Sequence, residues 1–251
     1  MGLGALGALL EAAPEFQRLV TLLDRERVTA RVQVISDATP FALATLHRGL
    51  SGPMLVIASG SEDARRLYDQ VLLWSDDESR VIHFPESETL PFERIVADMD
   101  TTRQRIRTLS TLMTPDGAPP LVIASAAAVA QKTIARDAFE SSTHTLERNQ
   151  RIDLDELVGL WRGMGYKVEP TVDVPGLGGR RGGILDIYPL GADAPARIEL
   201  WGDEIDSIRL FDPETQRSTE MVSSITVIPA QETLPGLTGR DDLDTMLGKI
   251  D

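Results

Sequence analysis

The sequence predicts an α/β unit built on a parallel sheet, followed by a small α+β unit in which one helix lies on an antiparallel sheet. Three observations predict it. Apolar runs at residues 54–58, 80–84 and 121–125 alternate with helical patterns, as parallel strands joined by right-handed crossovers do. Residues 184–211 hold three short strand patterns separated by turn residues. Between the two halves the composition turns polar, at residues 139–150. With 251 residues and 42% hydrophobic composition, the chain can bury a core in each unit.

Taken in order, residues 8–27 place Leu9, Leu10, Phe16, Leu19, Val20, Leu22 and Leu23 at helical spacing around Pro14, which predicts an interrupted amphipathic lead-in. Residues 32–35 read as a buried strand. Residues 37–50 follow, where a nucleotide-binding motor keeps its phosphate loop. Such a loop needs glycines so that backbone amides can converge, a Lys for the terminal phosphates and a Ser or Thr for magnesium. No glycine precedes Gly49 and no Lys is present, so no ATP site is expected there. Residues 54–58 read as a continuous apolar strand. Ser61 with Glu62 and Asp63 reads as a helix start, and Leu67, Val71 and Leu72 as the buried face of that helix. Residues 85–100 are an acidic, Pro-punctuated excursion, and Thr101 is expected to cap a helix whose Arg103, Arg105 and Arg107 fall on different faces. The strand at 121–125 ends in Ser125-Ala126-Ala127, without the acidic pair that a motor uses to hold magnesium and water.

In the second half, Asp153 stands where it can accept from the free amides of a first turn. Leu154, Leu157, Leu160, Trp161 and Met164 recur at helical spacing, and Gly165 takes the place of a left-handed cap. A Pro/Gly-rich connector then leads to Arg180-Arg181-Gly182-Gly183, read as a loop. Three strands follow, around Ile184 to Tyr188, Ala196 to Trp201 and Ile205 to Phe211, with Gly202-Asp203 as a hairpin turn and Asp212-Pro213 as a stop. Two adjacent guanidiniums among four glycines have no bulky neighbours to shield them. They are expected to stay available to an outside carboxylate or phosphate, with simple solvation of a turn as the plain alternative.

Composition excludes several function classes. The net charge is −14, and only three of the 25 basic residues are Lys, which argues against a general nucleic-acid binder needing a basic face. The absence of Cys excludes disulfides, thiolate catalysis and zinc–thiolate sites. The first apolar stretch lacks a basic flank and soon meets Glu11, so neither a signal peptide nor a membrane span is expected, and a cytoplasmic location is. His47, His83 and His144 share no acidic or Ser motif and are expected to be structural.

The runs RGGILDIYP (181–189), ARIELWGDEIDSIRLFDPETQRS (196–218) and VIPAQE (227–232), with ETLPFE (88–93) and TTRQRIRTLSTL (101–112), resemble the UvrB-homology module of the bacterial transcription-repair coupling factor family, Mfd. The likeness spans roughly residues 55–232. It implies a degenerate RecA/helicase-like domain over 1–138, with 85–108 belonging to a third subdomain, and a UvrA-interaction α+β domain over 139–232. Residues 233–251 would begin a following segment. Carried over residue by residue, UvrA binding centres on Arg181, with Lys167 as a basic companion and Tyr188 as an apolar neighbour. Arg180 is an addition that the family pattern does not require.

The resemblance further implies no catalytic, cofactor or metal residue in this chain, with ATP and magnesium confined to the family's translocase part. RNA polymerase and double-stranded DNA would be partners through domains outside this sequence. The alternative is a UvrB-like, ATP-dependent protein that binds damaged DNA. Against it stand the missing Lys-bearing loop and the absence of a Tyr cluster, since only Phe84 and Phe92 stand where UvrB has an aromatic DNA-clamping hairpin.

Overall fold

The computed structural model describes residues 6–26, 28–87, 99–113 and 118–232, in two compact units, Met1–Lys132 and Thr133–Asp251. The first unit opens with α1 (Gly7–Glu11) and α2 (Pro14–Thr21), which are separate because Pro14 starts the second helix instead of continuing the first. A wide helical turn, Leu22–Glu26, ends this lead-in.

Three strands, β1 (Met54–Ala58), β2 (Val81–Phe84) and β3 (Leu121–Ser125), form a parallel sheet in the order β1-β3-β2. The helices of this unit that follow α2 are α3 (Thr39–Gly49), α4 (Ser61–Leu72), α5 (Met99–Met113) and α6 (Ala126–Ala130). β3 is central, and all five of its residues are buried. Leu121 and Ile123 pack with Ala64 and Val71 of α4 and Ala44 of α3, while Val122 and Ala124 pack with Phe84, Ala128 and Leu109 of α5. Strand alternation thus loads both faces, as a parallel sheet requires, and each fully buried aliphatic side chain contributes roughly 1.5–3 kcal/mol.

Several expectations change here. Residues 28–35 form no strand and are exposed instead of buried; Ile35 is 79% exposed. A strand needs a hydrogen-bonded neighbour, and among the described residues β1 pairs only with β3. β1 is therefore an edge strand, with Leu55 and Ile57 exposed. The segment compared with a phosphate loop is largely the helix α3. Ser61 lies inside α4 and its hydroxyl donates to Glu86 instead of capping the helix. Thr101 lies inside α5, whose Arg105 is buried, donates to the Pro85 carbonyl at 2.8 Å and stacks over Phe84 at 4.2 Å. With Leu109 packed beside Phe84, α5 belongs to the core of the first unit. The ETLPFE excursion and the 233–251 tail lie outside the described residues.

The second unit holds α7 (Arg136–Ser142), β4 (His144–Glu147), α8 (Leu154–Gly163), β5 (Lys167–Val168), β6 (Leu177–Arg181), β7 (Ile184–Ile187), β8 (Ala196–Trp201), β9 (Glu204–Phe211), β10 (Ser218–Val222) and β11 (Ser224–Val227). Six strands make one sheet in the order β10-β9-β8-β7-β6-β5, antiparallel except where β5 meets β6, and β11 pairs with β4 separately. β4 falls in the stretch read as a polar passage between domains.

α8 starts as its sequence dictates, with Asp153 accepting from the amides of Asp155 and Glu156, and it ends at Gly165, whose φ of +96° is the left-handed cap conformation. Its Leu157, Val158 and Trp161 bury one face of the sheet against Leu185, Ile187, Ile198, Ile205 and Ile208. Among the described residues, no helix is long and apolar enough to cross a membrane, and no group of three or more His, Asp or Glu could hold a metal ion.

Candidate functional site

Arg180 and Arg181 are strand residues, not loop residues. They end β6, and the two-residue turn Gly182-Gly183 returns the chain into β7; Gly182 has φ +61°, a conformation that favours glycine. Successive strand residues point to opposite faces, so the two arginines part company. Arg180 pairs with Leu185 in register, faces α8 and forms an ion pair with Asp155. Arg181 pairs with Ile184 and faces the other side.

That other side carries a polar ladder. Across it Asp186, Arg197, Arg209 and Met221 are register partners on β7, β8, β9 and β10, and the next row places Ile184, Glu199 and Ser207 in line with Arg181. Asp186 is only 4% exposed at its side chain and accepts from Arg197 Nε at 2.8 Å and Nη2 at 2.9 Å, and from Arg181 Nη2 at 2.7 Å. Arg197, 15% exposed, also donates to the Gln216 carbonyl and stacks on Phe211 at 4.7 Å. The Asp186 hydrogen bonds hold its guanidinium above the ordinary arginine value, against an opposing effect of burial.

Arg181 remains 54% exposed. Arg209 lies directly across from Arg197, a like-charge pairing that costs stability unless carboxylates intervene. Its Nη2 is 3.7 Å from Glu199, and its Nε is buried without a hydrogen-bond partner among the described residues. At the far end of β8, next to Leu200, whose amide donates to the Gly183 carbonyl, Trp201 is 86% exposed.

The structure gathers the expected residues only in part. Arg181 is on the open face and accessible. Arg180 is on the covered face and committed to Asp155. Lys167 is exposed on β5 opposite Leu177, four residues along β6 from Arg181, or about 13 Å at the rise of a strand. Tyr188 is buried with Val172 and Phe211, and its hydroxyl donates to the Asp193 carbonyl. Asp186, Arg197, Arg209 and Trp201 were not singled out from sequence. Trp201 alone carried a readable signal, as an aromatic residue immediately before a hairpin turn.

The histidines are dispersed. His47 Nε2 lies 2.8 Å from the Pro119 carbonyl, which Arg80 also binds. His144 Nε2 accepts from Trp161 Nε1 at 3.2 Å, which leaves Nδ1–H to donate to the Ser142 carbonyl. Burial is the main cause that holds all three below the ordinary histidine value. A cleft of about 780 Å³ lies at the ends of β2 and β3, but its Arg65 and Arg66 are paired with Asp69 and Asp63.

Residues 145–232 match the family model described as the UvrB interaction domain. Over longer stretches the chain is similar to proteins named transcription-repair-coupling factor. It is 33% identical to that of Bacillus subtilis across 72% of this chain and 15% of the relative. The figures are 29%, 80% and 17% for Escherichia coli, and 30%, 76% and 16% for Myxococcus xanthus. The chain thus spans about one sixth of the length of these relatives.

Proposed function

The chain is homologous to a segment of the transcription-repair coupling factors and carries a UvrB interaction domain at residues 145–232, and from that premise we propose that it recruits UvrA by protein–protein docking on the open face of its six-stranded sheet. In this reading it brings nucleotide excision repair to a stalled RNA polymerase, and its own part in that task is binding, not catalysis. One observation carries the reading: the open face presents a half-exposed Arg181 held by a buried carboxylate. An arginine of this kind, meeting a carboxylate across a desolvated interface, is a typical binding hot spot. Trp201, exposed on the same side, supplies the aromatic anchor that such interfaces favour. The first unit is read as a degenerate RecA/helicase-like domain that serves as scaffold.

Calorimetric titration of UvrA with this chain and with Arg181→Glu tests the reading. The parent is expected to bind and the charge reversal to cost about 2 kcal/mol or more, with circular dichroism showing that the variant is folded. A folded parent that does not bind UvrA would overturn it.

A further inference from the structure

Asp186 sits at the junction of two arginines whose situations differ. Its side chain is buried, yet it serves a group at the surface. Oδ1 is taken by Arg197 Nε, and Oδ2 is shared between Arg197 Nη2 and Arg181 Nη2. Arg197 cannot swing away, because it is further tied to the Gln216 carbonyl and stacked on Phe211. The carboxylate is therefore immobilised by Arg197, and it in turn fixes one corner of the Arg181 guanidinium. A guanidinium carries five donors in a plane, and among the described residues only one nitrogen of Arg181 has a partner. The opposite edge of the fork points away from Asp186 with its rotamer already ordered, so less side-chain freedom is lost when a ligand binds. One carboxylate shared by two guanidiniums also leaves a net positive charge, and it rests on the exposed member.

We infer that Asp186 is a positioning residue for docking, holding Arg181 so that its free edge accepts a carboxylate side chain of the partner in a two-pronged hydrogen bond. This rests on the docking reading above and adds what orders the contact and which chemistry it takes. Arg197 acts as the clamp on Asp186, not as a contact residue.

The test is a titration of UvrA with the 251-residue chain and with Asp186→Asn, Arg181→Ala, Arg181→Lys and the double variant Asp186→Asn/Arg181→Ala. Asparagine keeps an acceptor for Arg197 but removes the charge that holds Arg181. Asp186→Asn is expected to weaken binding about tenfold in the parent and less than about twofold once Arg181 is alanine, the non-additivity of a residue that acts through its neighbour. Equal factors in both backgrounds, or binding within about twofold of the parent, would show a merely structural residue and overturn the inference. Should Asp186→Asn not fold, Arg181→Lys decides: lysine keeps the charge but has no planar fork, and about tenfold weaker binding is expected. Parent-like binding by Arg181→Lys would overturn the role. A parent chain that does not bind at all overturns the docking reading itself, which separates the two failures.

Discussion

On the face of the six-stranded sheet that α8 covers, Arg180 spends its charge on Asp155 of the helix, above a core of Trp161, Leu185, Ile187 and Ile198. On the open face, one residue later, Arg181 leans on a buried Asp186 and keeps most of its donors outward. Neighbours in sequence thus do different jobs. The covered face is held by apolar packing that does not depend on salt, whereas the open face is held by charge pairs among Asp186, Arg197, Glu199 and Arg209. That division separates stability from recognition within a single sheet. A face built of fixed charges can stay folded without a covering layer, and the same charges discriminate between partners.

The comparison can be broken at its strongest point first. Trp161→Ala removes the largest fully buried side chain from beneath the helix and is expected to cost about 3–5 kcal/mol in urea unfolding; a loss under 1 kcal/mol would mean that the covered face is not the core. Asp186→Ala leaves the largely buried Arg197 without the carboxylate it pairs with and is expected to cost about 3 kcal/mol by the same measurement. Trp201→Ala is expected to leave unfolding unchanged and to weaken UvrA binding by about 2 kcal/mol. An unfolding loss with no binding loss would instead make Trp201 part of the fold.

Acid should weaken the covered face. Burial lowers His144 below the ordinary 6.5, and its Nε2 accepts from Trp161. The unfolded chain therefore takes up a proton that the folded one refuses. Stability from this group is complete above about pH 6.5 and is lost as pH falls from there through the folded value, with His47 and His83 shifted in the same direction. A pH series of thermal melts with His144→Gln as control shows the slope; an identical slope in the variant would remove His144 as a cause. The smallest effect belongs to Arg180→Ala, whose exposed pairing with Asp155 is worth at most about 1 kcal/mol of stability and nothing in binding.

Much of the second unit was readable because its signals are local. Asp153 and Gly165 bracket α8 as their chemistry requires, and Gly202-Asp203 and Asp212-Pro213 mark strand ends, the latter through Asp212 accepting from the amides of Glu214 and Thr215. Residues 32–35 misled because an apolar alternation states only that a strand would be half-buried if it had a neighbour.

The sequence by itself determined the α/β and α+β classes and the caps and turns, since each depends on residues a few positions apart. Only the tertiary structure decided that Arg180 and Arg181 face opposite ways, that Asp186 clasps an arginine 11 residues away, and that Arg209 stands across from Arg197. Those facts follow from which strands pair and in what register, and a one-residue change of register would have exchanged the two faces.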